Sequence, residues 1–185
     1  MPKYRTREEP LSPEEVQRMV DDAHNDRDKA LVGCLYLLGA RITEVITLRK
    51  SDVEITDKKV IFKIKPLKRR KEKGPVRYKH KLAIPIDAPF MDIFVKWAGG
   101  IQQEDGFLFP GYNPHLTRER AWQIINKLNP DAWPHLFRHY RLNWVYDHSK
   151  HDLIATRDWA GRITLPVEYL GTRSTKLDKI ARDIS

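Results

Sequence analysis

The stretch DKALVGCLYLLGARITEVITLRKSDV, Asp28 to Val53, decides how the chain begins to fold. Leu31, Cys34, Leu35 and Leu38 recur at helical spacing and predict a helix with one apolar face. Gly39 follows as a natural C-cap, because a residue without Cβ enters the left-handed region at no steric cost. Thr43 to Leu48 predicts a second, shorter helix. Between the two stands Arg41, a charge placed directly after a long apolar run, where charged residues are scarce.

Upstream, LSPEEVQRMVDDA opens a helix with Ser12 as N-cap, Pro13 at the first helical position and Glu15 closing a capping box; Leu11 and Val16 are spaced for a hydrophobic staple. Downstream the period changes. KKVIFKIKP places Val60, Phe62 and Ile64 in alternation and HKLAIPID does the same with Leu82, Ile84 and Ile86, which predicts two antiparallel strands. Helices are then expected at about 90–97, 117–128, 134–147 and 152–160. In STKLDKIARDIS, Leu177, Ile180, Ala181 and Ile184 form the apolar face of a small tail helix. The fold class is therefore mainly α with a small antiparallel β-sheet.

With 185 residues, 41% of them apolar and five of them Trp, the chain suits one domain with a real core. A formal charge of +9, from 34 Lys and Arg against 25 acids, favours a polyanionic partner, nucleic acid ahead of membrane. The single cysteine, Cys34, excludes internal disulfides and Cys-type zinc sites and points to the cytoplasm. Neither a leading apolar region nor a run approaching about 18 apolar residues is present, so no signal peptide or membrane span is expected.

Two further cationic features need a function. The run from Lys63 to Lys81 holds ten Lys or Arg and one acid, Glu72, and reads as an electrostatic clamp on a nucleic-acid backbone through Lys65, Arg69, Arg70, Lys71, Lys73 and Arg77. Lys68, at the end of the first strand, is where one ammonium could be held in position. The other feature is WPHLFRHYRLNWV, Trp133 to Val145. There His135 and Arg138 share one helix face, and His139 and Arg141 add to the cations available to DNA. A guanidinium fork matches two non-bridging phosphate oxygens. His135 and His139 have the spacing of a two-His metal site, but the Glu of HExxH is missing, and no metal is expected. GxSxG and GxxxxGK[ST] turns are absent as well.

Together these segments carry a resemblance. LYLLGARITEVITLRKSDV resembles the first box of the tyrosine recombinase or integrase family, HLFRHY resembles its HxxRH box, and WAGRITLPVEYL resembles the closing segment that holds its nucleophilic tyrosine. The boxes stand in the family's order and cover nearly the whole chain from Leu11. The resemblance implies a tyrosine recombinase catalytic-domain fold in which Arg41 and Arg138 clamp the scissile phosphate and Glu44 orients Arg41. It further implies His135 as the box histidine, Lys68 as the proton donor to the leaving 5′ oxygen, and Tyr169 as the nucleophile. The implied activity is site-specific recombination of double-stranded DNA through a 3′-phosphotyrosyl intermediate, with no metal, ATP or other cofactor, in a tetrameric synapse.

The closing segment departs from the family pattern. The position usually held by His or Trp falls on Arg162 when the glycine is aligned and on Trp159 when counted back from Tyr169; Arg162 is preferred because it can donate to a phosphate oxygen. Two alternatives remain: an inactive DNA-binding module of the same fold, and a type IB topoisomerase-like enzyme. The expected organisation is a tether at 1–10, a catalytic domain at 11–173 and a tail helix at 174–185 that docks on its own body or, as the resemblance implies, in trans on a neighbour. Family members usually carry a further N-terminal domain that closes around DNA, and ten residues precede Leu11 here, as in an isolated catalytic domain or a minimal enzyme.

Overall fold

The computed structural model describes residues 11–65 and 80–161. By backbone contacts the chain divides into two units, Met1–Arg141 and Leu142–Ser185. The expected tail helix and the 66–79 part of the basic run lie outside the described residues.

The first unit is built around one buried helix. α1 (Pro13–Asp22) starts on the capping box read from the sequence: the Ser12 hydroxyl accepts the Glu15 N–H, and Glu15 Oε2 accepts the Ser12 N–H at 2.8 Å. α2 (Asp26–Leu38) follows, with Asn25 as its N-cap. Its apolar face is wider than expected, for every residue from Ala30 to Leu38 is buried. The reason is tertiary: α1, the short α3 (Ile42–Ile46) and α4 (Met91–Gly99) all pack against it. Cys34 lies in this core, and burial pushes its thiol pKa up, away from reactivity.

The sheet has three strands rather than two: β1 (Val53–Ile55), β2 (Lys59–Ile64) and β3 (His80–Pro85), antiparallel in that order. β1 escaped the sequence reading because three residues give too little alternation, and only its pairing of Val53 with Phe62 and Ile55 with Val60 makes it a strand. Val60, Phe62 and Ile64 are fully buried, and Leu82 and Ile84 nearly so. Phe62 meets Phe94 of α4, ring centroids 5.0 Å apart. This fixes the sheet against the helical body.

α5 (Arg118–Leu128), capped by Thr117, and α6 (Pro134–His148) begin and end within a residue or two of their expected bounds. α7 (Leu153–Trp159) starts at Asp152, whose carboxylate accepts the Ile154 and Ala155 N–H groups. In the second unit Leu142 and Ala160 form a small buried cluster with Trp159 packed on it.

Gly39 ends α2 at φ 55°, and its N–H donates to the Leu35 carbonyl. A Cβ there would lie 2.5 Å from Arg141 Cβ and 2.8 Å from its Cγ. Gly39→Ala is therefore expected to lose on the order of 1–2 kcal/mol from the left-handed backbone alone, with overpacking against Arg141 adding to it. A urea midpoint equal to that of the parent chain would contradict this reading.

Candidate active site

Arg41 is the N-cap of α3, placed where the chain turns out of the left-handed Gly39. Glu44, three residues on and buried, accepts the Arg41 N–H at 2.8 Å through Oε2 and meets its guanidinium at 3.1 Å through Oε1. One carboxylate thus caps the helix and holds the arginine side chain, which stays about a third exposed at 36%. A guanidinium so held keeps donors available to an outside anion.

α6 supplies the second cation. Arg138 is 1% exposed, and its Nη1 donates to the Gly39 carbonyl at 2.8 Å. That oxygen lies two residues before Arg41, so a bond spanning 99 residues ties the HxxR helix to the Arg41 turn. His135 is exposed on the same helix, its ring 5.6 Å from that of His139. Among the described residues no group of three His, Cys, Asp or Glu is arranged to hold a metal ion.

Burial, and then the Arg138 charge, hold the His139 pKa below its usual 6.5. The unfolded chain therefore binds this proton more readily than the folded chain does. Stability should fall as pH drops below about 6.5 and level off once the folded pKa has been passed. Urea midpoints at pH 7.5 and 5.5 should differ more for the parent than for His139→Asn, and identical pH slopes would sink this assignment.

Two residues expected to face DNA make contacts within the fold. Arg141 is 7% exposed; its Nε donates to the Tyr36 carbonyl at 2.9 Å, and its guanidinium lies 4.9 Å from the Tyr36 ring centroid. The helical spacing that puts Arg138 at the Gly39 carbonyl puts Arg141 against the preceding turn of α2. Lys65, at the end of β2, reaches the buried Asp52 carboxylate at 2.7 and 2.8 Å. Asp52 also accepts the Arg49 N–H at 3.0 Å. Asp52, Tyr36 and Tyr140 were not among the expected site residues. A lone Asp before a strand and tyrosines in apolar helices give no local signal, and only strand pairing and helix packing reveal their partners.

Trp159, the alternative closing residue, is half-buried against Leu142 and Ala160. Lys68, Arg69, Arg70, Lys71, Lys73, Arg77, Arg162 and Tyr169 lie outside the described residues.

The sequence model of the phage integrase family matches residues 9–155, which contain both arginines and the helices that bring them together. The chain belongs to the phage integrase family. It is 27% identical over 145 residues to tyrosine recombinase XerC of Erythrobacter litoralis (strain HTCC2594), a match covering 70% of this chain and 44% of that protein. Among solved structures, the XerH site-specific recombinase in its post-cleavage complex with a palindromic difH substrate superposes with a TM-score of 0.70 at 16% identity, over 94% of this chain and 52% of that one. XerA recombinase gives 0.67 at 18%, over 99% and 66%. A lambda integrase dimer bound to a COC′ core site gives 0.60 at 15%, over 93% and 50%. These likenesses establish the fold, mainly helical with a three-stranded antiparallel sheet. This family member spans less than half of that XerC and about half of the XerH chain.

Proposed function

We propose that this chain is the catalytic part of a site-specific DNA recombinase that cuts and rejoins strands through a phosphotyrosyl intermediate. The observation that carries the reading is the bond from Arg138 to the Gly39 carbonyl, because it gathers two guanidinium-bearing elements around one place. Two forks at one place suit a phosphodiester, whose non-bridging oxygens gain charge as it is attacked.

In this reading Arg41 and Arg138 hold the scissile phosphate with His135 beside them. The Tyr169 phenol, pKa about 10 in water, ionises more readily near such cations. Its oxygen forms a bond to phosphorus while the bond from phosphorus to the 5′ oxygen breaks. Lys68 gives that oxygen a proton, leaving a 5′ hydroxyl and a 3′-phosphotyrosyl ester. The ester keeps the strand activated, so a 5′ hydroxyl of another strand can displace the tyrosine without an external energy source. The cations Arg69, Arg70, Lys71, Lys73 and Arg77 would follow the DNA backbone.

The test is covalent trapping. Full-length protein is mixed with nicked duplexes whose cleaved fragment diffuses away, denatured, and examined for a DNA-shifted protein band. Binding with no band on any duplex would favour a DNA-binding module, and relaxation of supercoiled plasmid without strand exchange would favour a topoisomerase.

A further inference from the structure

Arg141 is a buried charge with specific surroundings. Arg138 and Arg141 stand one turn apart on α6. Both donate to carbonyls at the end of α2, Arg138 to Gly39 and Arg141 to Tyr36. Those carbonyls carry the negative end of the helix dipole, and the last four of any helix lack N–H donors within it. The Arg141 guanidinium is further held by two rings, 4.9 Å from the Tyr36 centroid and 5.8 Å from that of Tyr140. The two rings stack at 5.0 Å and 22°, and their hydroxyls lie 3.0 Å apart. Gly39 completes the fit, since a side chain there would collide with the Arg141 stem.

We propose that Arg141, held by Tyr36 and Tyr140, is a positioning residue that sets the spacing between Arg41 and Arg138 without touching DNA. Resting on the reading of these arginines as a phosphate clamp, it adds what fixes their separation. One guanidinium bond, Arg138 to Gly39, leaves α6 free to pivot about it. The second bond, one turn away, removes that freedom, so the α2 to α3 turn carrying Arg41 keeps one register against α6. A planar fork lying against the stacked rings can do this, whereas an ammonium on a flexible stem cannot.

Three full-length variants test the proposal: Arg141→Met, which keeps the stem and loses the donors; Arg141→Lys, which keeps the charge; and Tyr140→Phe, which removes the hydroxyl contact alone. The first readout needs no activity: inorganic orthovanadate is titrated against the 15N-labelled arginine Nε–H signals. Arg141→Met and Arg141→Lys should bind it about 10-fold more weakly than the parent, and Tyr140→Phe by less, as expected for a misplaced rather than missing clamp. The second readout is the single-turnover rate of the DNA adduct at saturating duplex. It should fall by about 10²-fold in Arg141→Met, with duplex affinity unchanged. Once Arg41→Ala has broken the clamp, adding Arg141→Met should cost no more than about 3-fold.

A purely structural role would lower the folded fraction while leaving the rate and anion affinity per folded molecule unchanged, and that result overturns the proposal. So does an additive double mutant, or failure of all three variants to fold. Should the parent form no adduct yet bind orthovanadate in an Arg141-dependent way, the strand-transfer reading falls and the positioning role stands. A parent that binds no orthovanadate overturns both.

Discussion

Tyr169→Phe is expected to bind duplex DNA as tightly as the parent chain and to form no covalent adduct. The substitution keeps the ring and removes one oxygen, so packing and the basic surface are retained while the only atom able to bond phosphorus at that position is gone. The loss should be complete rather than partial, because no other group at residue 169 can take over. Duplex affinity, measured by titration at fixed salt, should agree within about 2-fold between parent and variant, since the bulk of it comes from phosphate contacts elsewhere. A persistent adduct would move the nucleophile to another tyrosine. Tyr36 and Tyr140 are poor substitutes, because their hydroxyls face each other and burial first, then that contact, push the Tyr140 pKa up.

Arg138→Ala should have two effects that separate in the measurement. One is catalytic: a donor lost from a preorganised site that stabilises charge on phosphate oxygens is worth roughly 10²- to 10³-fold in the rate of adduct formation. The other is structural, since Arg138 is buried and its Nη1 satisfies the Gly39 carbonyl. Truncation leaves that carbonyl without its partner and should cost about 1–3 kcal/mol of stability. Rates must therefore be taken at a temperature where the variant is fully folded by circular dichroism, with DNA saturating. A folded Arg138→Ala protein that forms adduct within about 3-fold of the parent would remove Arg138 from the clamp, because no smaller effect is compatible with a preorganised donor.

The candidate site was legible in part. Arg41 stood out as a charge following an apolar helix, and His135 and Arg138 as cations sharing a helix face, and the structure draws Arg138 to the turn before Arg41. Glu44 was expected only through the family resemblance, and it holds both the backbone and the side chain of Arg41. The same helical reading left the surroundings of Arg141 open. Counting positions says that His135, Arg138 and Arg141 lie along one stripe, but His135 is exposed while Arg138 and Arg141 are 1% and 7% exposed. Which part of a stripe meets solvent depends on where the neighbouring helix ends, and α2 ends beneath Arg141.

What the sequence determined by itself is what short-range chemistry decides. Ser12, Pro13 and Glu15 start α1, Gly39 stops α2, Thr117 and Asp152 cap their helices, and the alternation in β2 and β3 chooses the buried face of the sheet. Each depends on dihedral preferences and on partners within four residues, or on a period of two, all written locally. The tertiary structure decided what depends on distant partners. It buried α2 on every side from Ala30 to Leu38, made Val53–Ile55 a strand, turned Lys65 to Asp52 across 13 residues, and set Arg141 on the Tyr36 carbonyl across 105. Whether water or a buried acceptor surrounds a cation is decided only once remote segments have packed.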